Sequence, residues 1–280
     1  MQPGQASRTA LGAAGHRAAH QVLERGFIFC DPLALRIMGP EAEAAIDDAK
    51  REPLKRGLRL FVAARTRFAE DALAAALARG AAQLVVLGAG LDTYAYRPNL
   101  PDRLRVFEVD HPATQAWKRE RLAEAAIAAP AALTFAPVDF ERETLADGLA
   151  AAGFDPARRS FFTWLGVVPY LTEQAILATL AFIAALPGGA EVVFDYSNPP
   201  ESIDAPQLRA FHEALAARVA AAGEVFRSYF DTDALAVQLR ALGFAEIEDL
   251  GLADIAARYF PGPARSYSGG GGHILRAATR

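Results

Sequence analysis

Short apolar runs that alternate with helical segments constrain the fold of this chain more than any other feature. The most distinct run is QLVVL at residues 83–87, which leads directly into a glycine turn. Strands are predicted near residues 83–88, 104–110, 133–138, 160–167 and 191–196. Helical segments fill the intervals, as in the stretch after Thr172, a favoured N-cap residue. This alternation is typical of an α/β fold with a doubly wound parallel sheet covered by helices on both faces.

The two ends of the chain depart from this alternation. Residues 1–80 are predicted to form a helical extension and residues 81–280 the sheet domain, with a helical lid inserted near 201–228. Helices of the extension are predicted at residues 9–25, 33–38 and 57–79. The closing segments AEIEDLG and HILRAA have no crossover helix of normal pattern between them, which predicts an antiparallel edge at the C-terminus.

Composition excludes several classes of protein. With 52% hydrophobic and 22% charged residues, the 280-residue chain can bury a sizeable core. A net charge of -4 and no basic run argue against a nucleic-acid partner, and no apolar run is long enough for a membrane helix. The N-terminus resembles no export signal, so a cytoplasmic protein is expected. The single cysteine, Cys30, excludes an internal disulfide and is expected to be buried.

Glycines and carboxylates recur where the predicted strands end. Gly88, Ala89 and Gly90 form the turn after the first strand. Aspartates end the second, third and fifth strands: Asp110, Asp139 and Asp195. Because open α/β sheets bind ligands at the carboxyl ends of their strands, this pattern predicts a ligand site at that edge.

The chemistry of these aspartates suits a nucleoside. The carboxylate of Asp110 can accept hydrogen bonds from both hydroxyl groups of a ribose, although the same residue could instead cap the helix that begins beside Pro112. Asp139 with Phe140 could contact an adenine amino group and ring. The alternative for Asp139 is an N-cap of a helix that starts near Glu141.

Arg65 interrupts the apolar face of a predicted helix. The stripe has steps of three and four residues and comprises Leu58, Phe61, Arg65, Phe68, Ala72 and Ala76. A guanidinium that faces inward needs an anionic partner, and its planar fork matches a carboxylate. That carboxylate could belong to a ligand or to a structural ion pair. Arg67 lies off the stripe and is predicted to be solvated.

Aromatic and histidine residues supply further candidates. Tyr96, Tyr170 and Tyr196 each follow a strand and could line a substrate pocket or simply fill the core. His111 stands beside the expected ligand and could make a polar contact. His16 and His20 are four residues apart on a helix, but the intervening Glu of a zinc motif and a third ligand are missing, so no metal is predicted.

Two common site motifs are absent from the sequence, and a third is incomplete. There is no Gly-x-Ser-x-Gly elbow for acyl hydrolysis and no phosphate-binding Walker loop. In the turn Gly88-x-Gly90, Thr93 stands where a dinucleotide fingerprint has its third glycine. This departure disfavours a nicotinamide-dependent dehydrogenase.

The ordered motifs resemble the leucine carboxyl methyltransferase-like family of class I S-adenosylmethionine-dependent methyltransferases, including bacterial O-methyltransferases often associated with polyketide pathways. The motifs that carry the resemblance are RTALGAAGHRA, DPLA, FVAARTRFAED, VVLGAGLDTYAYR, FEVDHP, WLGVVPYLT, EVVFDYSNPP and GGGHILRA. The resemblance implies a Rossmann-like sheet with an antiparallel C-terminal edge strand and S-adenosylmethionine as the cofactor.

The resemblance also assigns roles to individual residues. It implies that Arg65 binds the methionine carboxylate and that Gly88, Ala89 and Gly90 lie under the cofactor. It further implies that Asp110 holds the ribose, with His111 beside the cofactor, that Asp139 and Phe140 contact adenine, and that Tyr170 lies near the transferred methyl group. Leu165 departs from the family, because many relatives have Glu there; a backbone contact to the cofactor could persist.

The expected function is methyl transfer to a carboxylate or hydroxyl oxygen of a small molecule. A carboxylate acceptor is ionised at neutral pH, whereas a phenol needs a general base, for which His111, Asp195 and Tyr196 are the candidates. Tyr170 and His111 are the expected catalytic residues. The absence of a distinctive base motif favours an acidic acceptor slightly. The alternatives are an NAD(P)-dependent dehydrogenase and a cofactor-binding protein without catalysis; the sequence does not specify an oligomeric state.

Overall fold

The computed structural model describes residues 8–98, 100–139, 142–203, 206–221, 223–260 and 271–280. The chain divides into two compact units. The first consists of Met1–Arg67 and Gln83–Phe154, and the second of Phe68–Ala82 and Asp155–Arg280. The predicted division places a boundary at residue 80, between a helical extension and a sheet domain. It therefore differs from the division into these two units.

The first unit combines a helical layer with three strands. Its helices are α1 (Arg8–Leu23), α2 (Ala34–Met38), α3 (Glu41–Arg51), the first part of α4 (Arg56–Ala78), α5 (Pro112–Glu124) and α6 (Leu145–Ala151). Its strands are β1 (Gln83–Leu87), β2 (Arg105–Asp110) and β3 (Leu133–Pro137). β2 pairs in parallel with both β1 and β3, so all three strands end at the same edge.

The second unit carries the other strands. They are β4 (Ser160–Trp164), β5 (Ala190–Ser197), β6 (Glu246–Leu250) and β7 (Gly272–Ala278), with helices α7 (Glu173–Ala184), α8 (Pro206–Ala221), α9 (Thr232–Leu242) and α10 (Leu252–Tyr259). β4 and β5 are parallel, whereas β7 runs antiparallel to β5 and β6. The strand order is β3-β2-β1 in the first unit and β4-β5-β7-β6 in the second.

This order confirms the predicted α/β class and the antiparallel ending, and it adds a detail to the C-terminal edge. β7, the last strand in sequence, lies between β5 and β6, so β6 is the outermost strand of this side. The two closing strands are not a direct hairpin either, because α10 lies between them in sequence. The short stretch LADIAARY has the acidic first turn and basic last turn that favour a helix.

One local expectation was wrong, one helix was not predicted, and one alternative that the sequence left open is decided. α3 has no counterpart in the predicted elements, although Glu41 and Glu43 in its first turn and Lys50 and Arg51 in its last complement the helix dipole. The helix after β3 begins at Leu145 and is capped by the Thr144 hydroxyl, so Asp139 does not cap a helix near residue 141. Cys30 is exposed rather than buried.

The N-terminal helices form a packed layer of their own. The apolar cluster that joins α1, α2 and α3 includes Ala14, Ala18, Ile37, Met38 and Ala42. A Cβ on Gly15 would lie 3.2 Å from Ala45 Cβ, so small residues let these helices approach closely. Among the described helices, none combines the length and the apolar character that a membrane span requires.

Candidate active site

The glycine turn after β1 adopts a conformation that side chains disfavour. Gly88 and Gly90 have φ angles of 64° and 44°, in the left-handed region. The amides of Gly88 and Ala89 both donate to the carbonyl of Val109 on β2, at 2.8 and 3.1 Å. The turn is therefore bound to the end of the neighbouring strand.

Asp110 ends β2 and organises this turn. One carboxylate oxygen accepts the Gly90 amide at 2.6 Å, and the other accepts the His111 amide at 2.7 Å. Burial raises the pKa of Asp110, and the two amide hydrogen bonds oppose that shift. Each oxygen keeps a further lone pair, so the carboxylate can brace the turn and still accept from a diol.

Helix α1 covers the glycine turn. A Cβ on Gly90 would lie 2.9 Å from Ala10 Cβ, closer than two such atoms pack. The Arg17 guanidinium donates to the carbonyl of Leu91 at 2.5 Å, and Thr93 donates to Asp31 at 2.8 Å. Thr93, the residue in the third glycine position, therefore holds the turn to the N-terminal helical segment.

We expect Gly90→Ala to destabilise the protein by about 1–2 kcal/mol through its left-handed backbone alone, with a further loss from the contact with Ala10. Urea unfolding measures this change. Gly12→Ala is the matched control, because a Cβ at this exposed α1 position meets nothing within 4 Å and should raise helix stability. Ala10→Gly lowers helix stability by itself, so the contact term is read from the double variant Gly90→Ala, Ala10→Gly, which should be less destabilised than the sum of the two single variants. Equal effects of Gly90→Ala and Gly12→Ala would contradict this account of the turn.

Arg65 lies on α4 and is buried, with 8% of its surface exposed. α4 is tied to the end of α1 by a bidentate pair in which Arg59 donates to both oxygens of Glu24, at 2.8 and 2.6 Å. Burial and the charges of Arg59 and Arg65 lower the pKa of His16 to about 4. Arg65 is thus inward-facing as predicted, with the α1 residue His16 within electrostatic reach.

The same surroundings argue against metal at His16 and His20. Burial and, to a lesser extent, nearby cations lower the pKa of His16, and His20 Nδ1 contacts Glu24 at 3.3 Å. Within the described ranges, no cluster of three or more His, Cys, Asp or Glu side chains is arranged to hold a metal ion.

His111 caps α5. Its Nδ1 accepts the Ala113 amide at 3.2 Å, which requires that the proton of the neutral ring be on Nε2. The ring can therefore donate a hydrogen bond from Nε2, but in this tautomer it has no lone pair left to accept a substrate proton. Its predicted polar contact fits this geometry better than its predicted role as a base.

Asp139 follows β3 and pairs loosely with the exposed Arg142 at 3.6 Å. The backbone carbonyl of Asp139 accepts the amides of Arg142 and Glu143, both at 2.8 Å, and so forms a turn after the strand. Phe140, the other predicted adenine contact, lies outside the described residues.

Tyr96 takes part in a buried ion pair. Its hydroxyl donates to Glu108 at 2.9 Å, and Lys118 approaches the same carboxylate at 2.8 Å and the Tyr96 ring centroid at 5.2 Å. Burial and the Glu108 charge raise the pKa of Tyr96. This network gives Tyr96 a structural role, and its predicted substrate contact stays a prediction.

In the second unit, Asp195 on β5 repeats the arrangement of Asp110. Its carboxylate accepts the Gly166 amide at 2.6 Å and so holds the turn after β4. Gly166 has a φ of 71°, which ends the strand earlier than predicted. Leu165 precedes this glycine and is partly exposed. The Asp195 carboxylate thus stabilises the turn. This hydrogen bond argues against its predicted role as a general base.

Tyr196 and Tyr170 have different surroundings. Tyr196 is 2% exposed, donates to Asp249 at 2.6 Å and stacks on His273 with ring centroids 4.8 Å apart. It therefore joins β5 to the antiparallel strands beside it. Tyr170 ends a 3-10 turn after β4, remains partly exposed, and packs against Phe226 at 5.3 Å.

His212 on α8 is a buried polar residue that the sequence interpretation did not single out. It lies on an apolar stripe of the helix with Leu215 and Val219, at steps of three and four. A polar residue on such a stripe is the same signal that identified Arg65.

Comparison with known proteins agrees with these features. A family model for leucine carboxyl methyltransferase matches residues 10–184. YktD of Bacillus subtilis, whose name gives it provisionally as an S-adenosyl-L-methionine-dependent methyltransferase, is 38% identical over 200 residues, 70% of this chain and 65% of YktD. A Frankia alni relative with the same provisional name is 34% identical over 194 residues, 66% of each chain. The chain thus spans slightly less than two thirds of these relatives.

A solved structure supports the fold. A DUF574 family protein from Streptomyces avermitilis superposes with a TM-score of 0.54 over 95% of this chain and 97% of that one, at 18% identity. The family match covers more than half of the sequence and includes β1 to β4, the glycine turn, Asp110 and Arg65. This chain therefore belongs to the leucine carboxyl methyltransferase family.

Proposed function

We propose that this chain binds S-adenosylmethionine and transfers its methyl group to a carboxylate or hydroxyl oxygen of a small molecule, as in secondary metabolism. The observation that carries the proposal is the pairing of the Gly90 amide with the Asp110 carboxylate at the carboxyl ends of β1 and β2. Family membership supports the same cofactor, since curated relatives carry its name.

The residues of the first unit fit an adenosyl amino acid. The positive φ angles of Gly88 and Gly90 allow a ligand close to the backbone. Asp110 can hold a ribose, and the buried guanidinium of Arg65 suits an amino acid carboxylate. A nicotinamide dinucleotide fits less well, because Thr93 is engaged with Asp31 where the fingerprint has a glycine.

The chain's contribution to the reaction is alignment and exclusion of water. The cofactor, when bound, supplies a methyl group already activated on a sulfonium. Arg65 and Asp110 orient the two ends of such a ligand, and the turn residues between them fix its position. A carboxylate acceptor would need no proton transfer, whereas a hydroxyl acceptor would need a base.

Transfer of radiolabelled methyl groups tests this proposal. Purified protein is incubated with labelled S-adenosylmethionine and a panel of aromatic acids and phenols, and base-labile esters are separated from stable ethers. We expect enzyme-dependent labelling of at least one oxygen acceptor. Labelling confined to nitrogen or carbon acceptors would contradict O-methylation, and cofactor binding without transfer to an extended panel would indicate a non-catalytic protein.

A further inference from the structure

His212 is a buried imidazole whose hydrogen-bonding capacity is unused. It lies on α8 with 8% of its surface exposed. Neither Nδ1 nor Nε2 has a hydrogen-bond partner within the described part of the chain. A buried polar group left without a hydrogen bond destabilises the folded state, so this position is unfavourable for the protein alone. A ligand that hydrogen-bonds the ring would remove that cost.

Aromatic rings surround this imidazole. The His212 ring centroid lies 6.0 Å from that of Phe226 and 5.6 Å from that of Tyr229. Phe226 in turn packs against Tyr170 at 5.3 Å, so one continuous aromatic cluster joins α8 to the 3-10 turn after β4. We refer to Tyr170, His212, Phe226 and Tyr229 as the aromatic cluster.

The backbone fixes the cluster to that turn. The Arg227 amide donates to the carbonyl of Pro169 at 2.7 Å, and the Ser228 hydroxyl donates to the carbonyl of Val168 at 3.0 Å. The segment that carries Phe226 and Tyr229 is therefore held beside Tyr170. Tyr170 is also the residue that the family resemblance places near the transferred methyl group.

Electrostatics favour an uncharged guest over an anion. Glu213 beside His212 and Glu201 near Tyr229 are the charged groups that act on the two titratable rings. Of the nearby arginines, Arg209 donates to the carbonyl of Ile203 and Arg227 is exposed. Burial lowers the pKa of His212 despite the opposing effect of Glu213, and burial raises the pKa of Tyr229. At neutral pH the cluster thus contains a neutral imidazole and neutral phenols, which offer no positive charge to a carboxylate.

We propose that the aromatic cluster is the acceptor site and that it binds an aromatic molecule through a neutral hydroxyl group, with His212 as hydrogen-bond partner and general base. This proposal rests on the proposed methyltransferase function and narrows it from oxygen acceptors in general to phenols. The aromatic rings would stack on the acceptor, and the imidazole would select its hydroxyl group.

The proposed methyl transfer needs no reactant besides the phenol and the methyl donor. The phenolic O–H bond breaks, and its proton passes to a nitrogen of His212 while an O–CH3 bond forms with the sulfonium methyl donor. The electron pair of the broken S–CH3 bond remains on sulfur. The imidazolium then releases its proton to water, and the net products are an aryl methyl ether, the thioether and a proton.

Binding of a matched pair of ligands tests the site. Calorimetry on the full chain saturated with S-adenosylhomocysteine compares 2-naphthol with 2-naphthoate, which share a ring system and differ in the oxygen group. We expect 2-naphthol to bind at least about tenfold more tightly than 2-naphthoate, which corresponds to about 1.4 kcal/mol. Equal affinity, tighter naphthoate binding or no naphthol binding would overturn the proposal.

Variants at position 212 separate binding from support of the fold. His212→Phe keeps an aromatic ring without nitrogen, so we expect naphthol affinity to fall about tenfold, with no loss of thermal stability. His212→Gln keeps hydrogen-bonding groups, so it should retain most of the affinity but lose about 100-fold in kcat for phenol methylation. Val237→Thr, at a 64% exposed position on α9, is the control and should change neither quantity.

The outcomes distinguish this proposal from the broader one. If wild-type protein binds S-adenosylhomocysteine but His212→Phe and His212→Gln bind naphthol and transfer methyl groups as the wild type does, the acceptor site is elsewhere and only this inference fails. If neither S-adenosylmethionine nor S-adenosylhomocysteine binds the wild type, the proposed function itself fails.

Discussion

Replacement of Arg65 by alanine should weaken binding of S-adenosylhomocysteine by about 100-fold or more, because a desolvated guanidinium that pairs with a carboxylate contributes about 2–5 kcal/mol when its partner would otherwise be unpaired. Calorimetric titration measures the loss, and circular dichroism with thermal unfolding measures the fold. The expected result is a large loss of affinity in a protein that remains folded, since Leu60, Phe68 and Leu73 keep α4 anchored in the core.

Two variants control this experiment. Arg67→Ala removes an exposed arginine from the same helix and should leave the affinity unchanged. Arg65→Lys keeps the charge without the planar fork and should recover only part of the affinity. Unchanged affinity in Arg65→Ala together with a large loss of thermal stability would show that Arg65 is a structural ion-pair residue.

Replacement of Lys118 by methionine should destabilise the protein by about 3–5 kcal/mol, because it leaves the Glu108 carboxylate buried without a countercharge. Glu108 is 1% exposed, and Lys118 lies 2.8 Å from it. Methionine keeps the length and apolar character of the lysine stem, so little packing is lost. Urea unfolding of wild type and variant at pH 8 measures the difference.

Lys50→Met provides the comparison for an exposed ion pair. Lys50 contacts Asp47 at 3.0 Å with 57% of its side chain exposed, so the change should cost at most about 1 kcal/mol. The double variant Glu108→Gln, Lys118→Met removes both charges and should recover much of the stability lost by Lys118→Met. Similar losses for the Lys50 and Lys118 single variants would contradict the importance of the buried pair.

The stability deficit of Lys118→Met should depend on pH. Burial raises the pKa of Glu108 from 4.5 to about 6 even with Lys118 present, so between these values the folded protein holds more protons than the unfolded chain. Stability contributed by this group therefore falls as pH rises through that window. Without Lys118 the pKa rises further, so the deficit should be larger at pH 8 than at pH 5.

Much of the fold follows from local sequence. Strands β1 to β5 could be predicted because each is an apolar run bounded by glycine, proline or aspartate, and the predicted cap at Thr172 is present. The insertion of β7 between β5 and β6 could not be predicted, because strand order depends on long-range pairing such as Glu191 with Ala278. α3 was missed although its charges favoured a helix.

Residues of the candidate site could be predicted where a charged side chain interrupts an apolar pattern. Arg65 was found because a cation interrupted an apolar stripe, and the structure buries it. The double engagement of Asp110 with the Gly90 and His111 amides was not predictable, since it depends on a turn conformation that the sequence permits without specifying. To single out His212, one would need to know both its apolar stripe and its aromatic neighbours. The neighbours could not be predicted, because the segment around Phe226 has no regular pattern.

The central claim is that the end of β1 and β2 holds an adenosyl amino acid. Calorimetric titration of the wild-type protein with S-adenosylhomocysteine and, separately, with NAD tests it most directly. We predict saturable binding of S-adenosylhomocysteine and no binding of NAD. Binding of NAD without binding of S-adenosylhomocysteine would contradict the account.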